Sequence, residues 1–125
     1  MEINMQTNGV TEISLSVRDL KRSRKFYYDL LNFPVIMETD DFFVCSAGGS
    51  RISFFVGGND AGGIPSPLRF ITIGCPEMTE LERVSSALKI AGVPRTEIQS
   101  DSYSSKKYFE FQDPDGHTWR YSFPG

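Results

Sequence analysis

Apolar and polar residues alternate along "GVTEISLSV": Ile13, Leu15 and Val17 share one face, and Glu12, Ser14 and Ser16 the other. That period of two predicts a half-buried strand. The period then lengthens. Phe26 with Leu30, and Tyr27 with Leu31, stand four residues apart behind Asp19, a residue suited to cap a helix. "FPVIMETD", "FFVCSA" and "RISFFV" predict three short strands, the last two joined by a turn through "AGGS". The first half is therefore strand, helix and three strands.

After "GGNDAGGIPSPL", read as a connector because it is rich in glycine and proline and lacks the lysine of a phosphate-binding loop, the same order returns. "RFITIGC" predicts a strand, and "EMTELERVSSALKIAG" a helix with Leu81, Val84 and Leu88 at helical spacing and Gly92 placed to end it. "VPRTEIQ", "KKYFEF" and "HTWRYSF" predict three more strands, the last two joined at "DPDG". We expect one domain over 1–125 holding two βαβββ modules, at about 9–58 and 67–124, in an α+β fold. Superposing the halves sets Glu12 opposite Arg69 and Ser53 opposite Arg120. Ser14 lies on the polar face with Glu12. If the two polar faces turn toward each other, these positions surround one cavity.

In the last strand Trp119, Tyr121 and Phe123 point one way and Thr118, Arg120 and Ser122 the other. Arg120 is thus a cation on the polar side, either exposed to water or aimed into a cavity. The chain has 125 residues and a formal net charge of -3, long enough for a real core and without the basic footprint of a nucleic-acid binder. "KRSRK" falls within the first predicted helix and reads as a solvated face. No apolar stretch is long enough to cross a bilayer, and the first ten residues lack the pattern of a signal peptide, so a cytoplasmic protein with no membrane partner is expected. Cys45 and Cys75, each in an apolar strand context, read as buried free thiols.

The pieces "ISLSVRDLKRSRKFYYDLLNF" and "YFEFQDPDGHTWRY", with the order of elements between them, resemble the vicinal oxygen chelate superfamily, which includes glyoxalase I, bleomycin-resistance proteins and extradiol dioxygenases. The resemblance covers nearly the whole chain. It implies two βαβββ modules forming a cup-shaped, curled mixed sheet, often in a homodimer with modules exchanged or paired. It also implies, for metalloenzyme members, a histidine at the positions of Glu12 and Arg69, a glutamate at that of Arg120, and a fourth ligand near Ser53.

The chain departs from that ligand set. A guanidinium has five donors and no acceptor, so neither arginine supplies a lone pair. A unit charge about 4 Å from another interacts by about 4 kcal/mol at an effective dielectric of about 20, and a divalent ion would feel about twice that repulsion. Glu12 alone does not replace the three protein ligands usual at a catalytic zinc. The expectation is therefore no metal and no cofactor, with Arg69, Arg120, Ser53 and Ser14 binding a small molecule that is planar or anionic. An enzyme remains the alternative, a glyoxalase-like lyase, isomerase or dioxygenase, either metal-free with Glu12 as catalytic base or metal-dependent with atypical ligands. Arg69 has a second reading as a surface residue whose stem lines the wall. Asp113 and Asp115 read as turn-formers with Gly116 at positive φ, and His117 as a residue outside the chemistry. Among ten Phe and five Tyr, Phe42, Phe43, Phe54, Phe55, Tyr108, Phe109 and Phe111 come in adjacent pairs or alternating runs. One member of each adjacent pair is expected to face the cup, whose walls would then suit a flat or apolar molecule.

Overall fold

In a computed structural model, residues 2–56 and 69–124 are described. They group into two compact units, Met1–Ile64 and Pro65–Gly125. The proposed connector, residues 57–68, lies outside the described residues.

The first unit contains β1 (Glu12–Val17), α1 (Leu20–Arg24), β2 (Val35–Glu38), β3 (Phe42–Ala47) and β4 (Ser50–Val56). Its four-stranded sheet has the order β1-β4-β3-β2, with β1 parallel to β4 and the other neighbours antiparallel. Alternation divides the faces as the sequence implied. Leu15, Val17, Ile52, Phe54, Phe43 and Cys45 are buried, while Glu12, Ser14 and Ser16 are exposed. Gly48 at φ 59 begins the two-residue loop that closes Ala47 on Ser50, a conformation that costs a residue without a Cβ little.

The helix differs from expectation after its first turn. Asp19 caps α1, its side chain accepting from the Arg22 N–H at 3.2 Å. From Lys25 to Leu30, however, the turn widens to a π-helix, and the Leu31 N–H donates to the Phe26 carbonyl five residues back, at 3.0 Å. The extra residue rotates the following positions around the axis. Tyr27 is fully buried against Phe54, with ring centroids 4.4 Å apart, but Leu30 turns outward to 41% exposure. The four-residue stripe is therefore not formed as read. Asn32 at φ 61 then ends the element.

The second unit contains β5 (Ile71–Gly74), α2 (Met78–Ile90), β6 (Gln99–Ser100), β7 (Lys107–Gln112) and β8 (Thr118–Phe123), with sheet order β5-β8-β7-β6. Leu81 and Leu88 of α2 are buried, and Gly92 at φ 78 terminates it. The strand expected at "VPRTEIQ" shrinks to Gln99–Ser100 and one isolated bridge from Arg95 to Phe111. The Thr96 hydroxyl accepts the Glu110 N–H at 2.9 Å, taking the place of a ladder carbonyl. At "DPDG" the Asp113 carboxylate accepts from the N–H groups of Asp115 at 2.9 Å and His117 at 2.8 Å, with Gly116 at φ 88. His117 is buried. Each unit is thus a βαβββ arrangement with a mixed sheet, an α+β fold as the repeat predicted.

Both cysteines are buried and free. Burial is the main cause that pushes the Cys45 thiol from 9.0 up to about 11, and Arg24 opposes the rise. Because the folded state holds this proton more tightly, the stabilisation is complete below about pH 9 and is lost as pH rises toward about 11. Urea denaturation across that range should show falling stability, with a shallower fall in Cys45→Ala.

Candidate functional site

On β1 and β4 of the first unit, the parallel register sets Ser14 beside Ser53 and Glu12 beside Arg51. The Ser53 hydroxyl, in a residue 1% exposed, donates to the Glu12 carboxylate at 3.3 Å. Ser14 and Ser53 oxygens stand 2.7 Å apart. Since the single Ser53 proton is directed at Glu12, Ser14 donates to Ser53, and the three form a chain of hydroxyls ending on a carboxylate. On the same face Phe42 stacks on Phe55, with centroids 5.3 Å apart, whereas their neighbours Phe43 and Phe54 stack within the core at 4.5 Å. Adjacent aromatics divide between the two faces, as strand alternation requires.

In the second unit Arg120 occupies the middle of β8. Its cross-strand partners are Thr72 on β5 and Glu110 on β7. Residues two apart along these strands share its face, which brings Phe70 from one side and Tyr108 from the other. The guanidinium carbon lies 4.0 Å from each ring centroid, so the cation is held between two π-faces. Glu110 closes one edge. Its Oε2 accepts from Nε at 3.1 Å and from Nη2 at 2.7 Å. Both side chains remain about a quarter exposed, at 23% and 26%. Trp119, Phe109 and Phe111, on the opposite face, are buried. The cation is therefore neither loose in solvent nor in the core: it is a planar, fixed, partly accessible group.

Glu110 and Phe70 escaped the sequence analysis, and Tyr108 entered it only among the paired aromatics. A signal for two of them exists. "KYFEFQ" alternates so that Tyr108, Glu110 and Gln112 share a face, and counting back through the five residues that join Gln112 to Thr118 pairs Glu110 with Arg120.

The strand registers also revise the superposition of the halves. Ser14 pairs with Ser53, and Thr72 pairs with Arg120. If Ser53 matches Arg120, then Ser14 matches Thr72, and Glu12, two residues earlier, matches Phe70. The helix caps agree: Asp19 stands seven residues after Glu12, and Glu77 seven after Phe70. Arg69 sits one residue before that place, exposed, at a bend outside β5. Glu12, Ser14 and Ser53 thus come together in the first unit, and Arg120 is fixed in the second by residues other than Arg69.

These groups do not fit a divalent metal. Glu12 is the one carboxylate of its hydroxyl cluster, and Arg120 is a cation already holding Glu110. Among the described residues no three His, Cys, Asp or Glu side chains gather in a way that could hold an ion.

Solved structures share this fold. A protein designated SMU.1112c is similar with a TM-score of 0.78 and 23% identity, over 94% of this chain and 99% of that one. Lactoylglutathione lyase from Agrobacterium tumefaciens gives 0.77 and 12%, over 94% and 95%. A glyoxalase/bleomycin resistance protein/dioxygenase from Alicyclobacillus acidocaldarius gives 0.74 and 15%, over 94% and 93%. At these identities the likeness is one of fold. No curated protein sequence matches the chain. Residues 9–121 match the family described as the Glyoxalase/Bleomycin resistance protein/Dioxygenase superfamily, and the repeated βαβββ order, the capped first helix and the "DPDG" hairpin are accounted for together: the chain belongs to that superfamily.

Proposed function

We propose that this protein is a metal-independent binding protein of the sequestration or resistance type, whose ligand is a planar or anionic small organic molecule. The observation that carries this reading is Arg120, a guanidinium immobilised between Phe70 and Tyr108 and clamped by Glu110. A planar cation with its orientation already fixed loses little entropy on meeting a ligand. The stacked Phe42 and Phe55, and the Glu12, Ser14 and Ser53 hydroxyl chain, supply apolar and polar contacts of the kind small-molecule sites combine. On this reading the two units act as one cytoplasmic domain and pair into a homodimer, with neither nucleic acid nor membrane as partner. Among the described residues no helix is long and apolar enough to cross a membrane.

A second reading has its own support. The hydroxyl chain from Ser14 through Ser53 delivers onto Glu12, an arrangement suited to a metal-free general base in a lyase or isomerase. Arg69, exposed beside Phe70, is an auxiliary anion contact in either reading.

Native mass spectrometry of the purified protein, followed by incubation with a hemithioacetal, separates the two. The binding reading expects a dimer free of stoichiometric metal, carrying or accepting an organic ligand, and no turnover. Stoichiometric zinc, nickel, iron or manganese, or catalysed turnover, would overturn it.

A further inference from the structure

A cavity of about 260 Å³ in the second unit is lined by Pro94, Thr96, Glu110, Gln112 and Thr118, with Arg95 and Phe111 completing the wall. Glu110, Gln112 and Thr118 share the sheet face of Arg120, because Glu110 pairs with Arg120 and Gln112 with Thr118 across the same hairpin. The cavity therefore adjoins the stacked guanidinium, and Glu110 belongs to both. Its Oε2 takes both hydrogen bonds from Arg120. Its Oε1 has no partner among the described residues. The Thr96 hydroxyl accepts the Glu110 N–H and keeps its own proton to donate.

This division of one carboxylate decides what the cavity prefers. Arg120 and Glu110 sum to zero charge, and Arg95, the other cation of the wall, donates to the Thr96 carbonyl at 2.9 Å and stands 3.6 Å from the Glu97 carboxylate, so an incoming anion meets no unpaired guanidinium. It meets instead a wall bearing a carboxylate oxygen, and like charges placed together weaken binding. A neutral flat molecule with N–H groups satisfies that oxygen, and Gln112 and Thr118 can each donate to its carbonyl.

We propose that Glu110 sets the specificity of this site, selecting neutral planar ligands that carry an amide or similar hydrogen-bond donor over planar carboxylates. The inference rests on the binding reading above, and narrows its planar or anionic ligand to the planar, donor-bearing class.

Benzamide and benzoate, matched in shape and differing in charge and donors, make the test. Titration of each into the protein at neutral pH, followed by backbone amide chemical shifts, should show benzamide bound about tenfold more tightly, with the shifts centred on β7 and β8. Glu110→Gln, which keeps the size of the side chain but removes its charge, should bring the two affinities together. The wild-type ratio is informative even if that variant folds poorly. Equal affinities, or benzoate the tighter, with both lost in Arg120→Ala, overturn the role of Glu110 and leave the binding reading standing. Shifts from neither compound, or shifts that Arg120→Ala does not alter, overturn both.

Discussion

Arg120→Ala is expected to weaken binding of planar amide or carboxylate ligands by about 10- to 100-fold, the equivalent of one charge-assisted hydrogen bond of about 1.5–3 kcal/mol. The loss has two parts. The ligand forfeits a donor whose plane was fixed in advance by Phe70 and Tyr108, and the two rings, each 4.0 Å from the guanidinium, lose the plate that spaced them. The variant should also be less stable by about 1–3 kcal/mol, because Glu110 keeps its carboxylate and loses both hydrogen bonds. The lower half of that range applies, since the pair is about a quarter exposed and water screens it. Arg120→Lys distinguishes charge from geometry. A lysine keeps the cation but cannot stack as a plane or bond two-pronged to Glu110, so intermediate affinity is expected. Calorimetric titration with benzamide checks the series. Unchanged affinity in Arg120→Ala would remove the main support for the binding reading.

Trp119→Ala should cost about 3–5 kcal/mol of folding stability, a large share of the roughly 5–15 kcal/mol that holds a typical domain together. Trp119 is 1% exposed and pairs laterally with Ile71 on β5 and Phe111 on β7. It is therefore a main filling element of the core face of the second sheet. Its removal leaves a cavity that neighbours on three strands cannot collapse into without breaking ladder hydrogen bonds. As the protein's one tryptophan, it is also its fluorescence reporter, so circular dichroism in urea is the suitable measurement. Trp119→Phe should lose much less, because a ring still fills most of the space. A urea midpoint for Trp119→Ala within error of the wild type would contradict the assignment of this face as the load of the core. The two variants also separate the faces of one strand: adjacent residues, Trp119 serving stability and Arg120 serving recognition.

How much of this was legible beforehand depends on the range of the interaction. The buried faces of β1, β3, β4, β7 and β8 followed from alternation, since a strand has two sides and water selects the polar one. The turns at Gly48 and Gly116 followed from residues that tolerate positive φ, and the α1 cap from an aspartate placed to accept an N–H. The widened helical turn at Lys25–Leu30 was not legible, because "KFYYDL" satisfies either hydrogen-bonding step and the choice follows from how Tyr27 seats against Phe54. The shortened strand at Gln99–Ser100 was hidden for a similar reason: the Thr96 side chain competes with the backbone for the Glu110 N–H.

The candidate site divides along the same line. The sequence by itself determined that Arg120 would stand on the polar side of its strand, because that follows from residue type and a period of two. Only the tertiary structure decided that Phe70, rather than Arg69, matches Glu12, and that Phe70 joins Tyr108 on the faces of the guanidinium. Those facts depend on register between strands distant in the chain, and sliding one strand by a single residue exchanges every side chain for its neighbour on the other face.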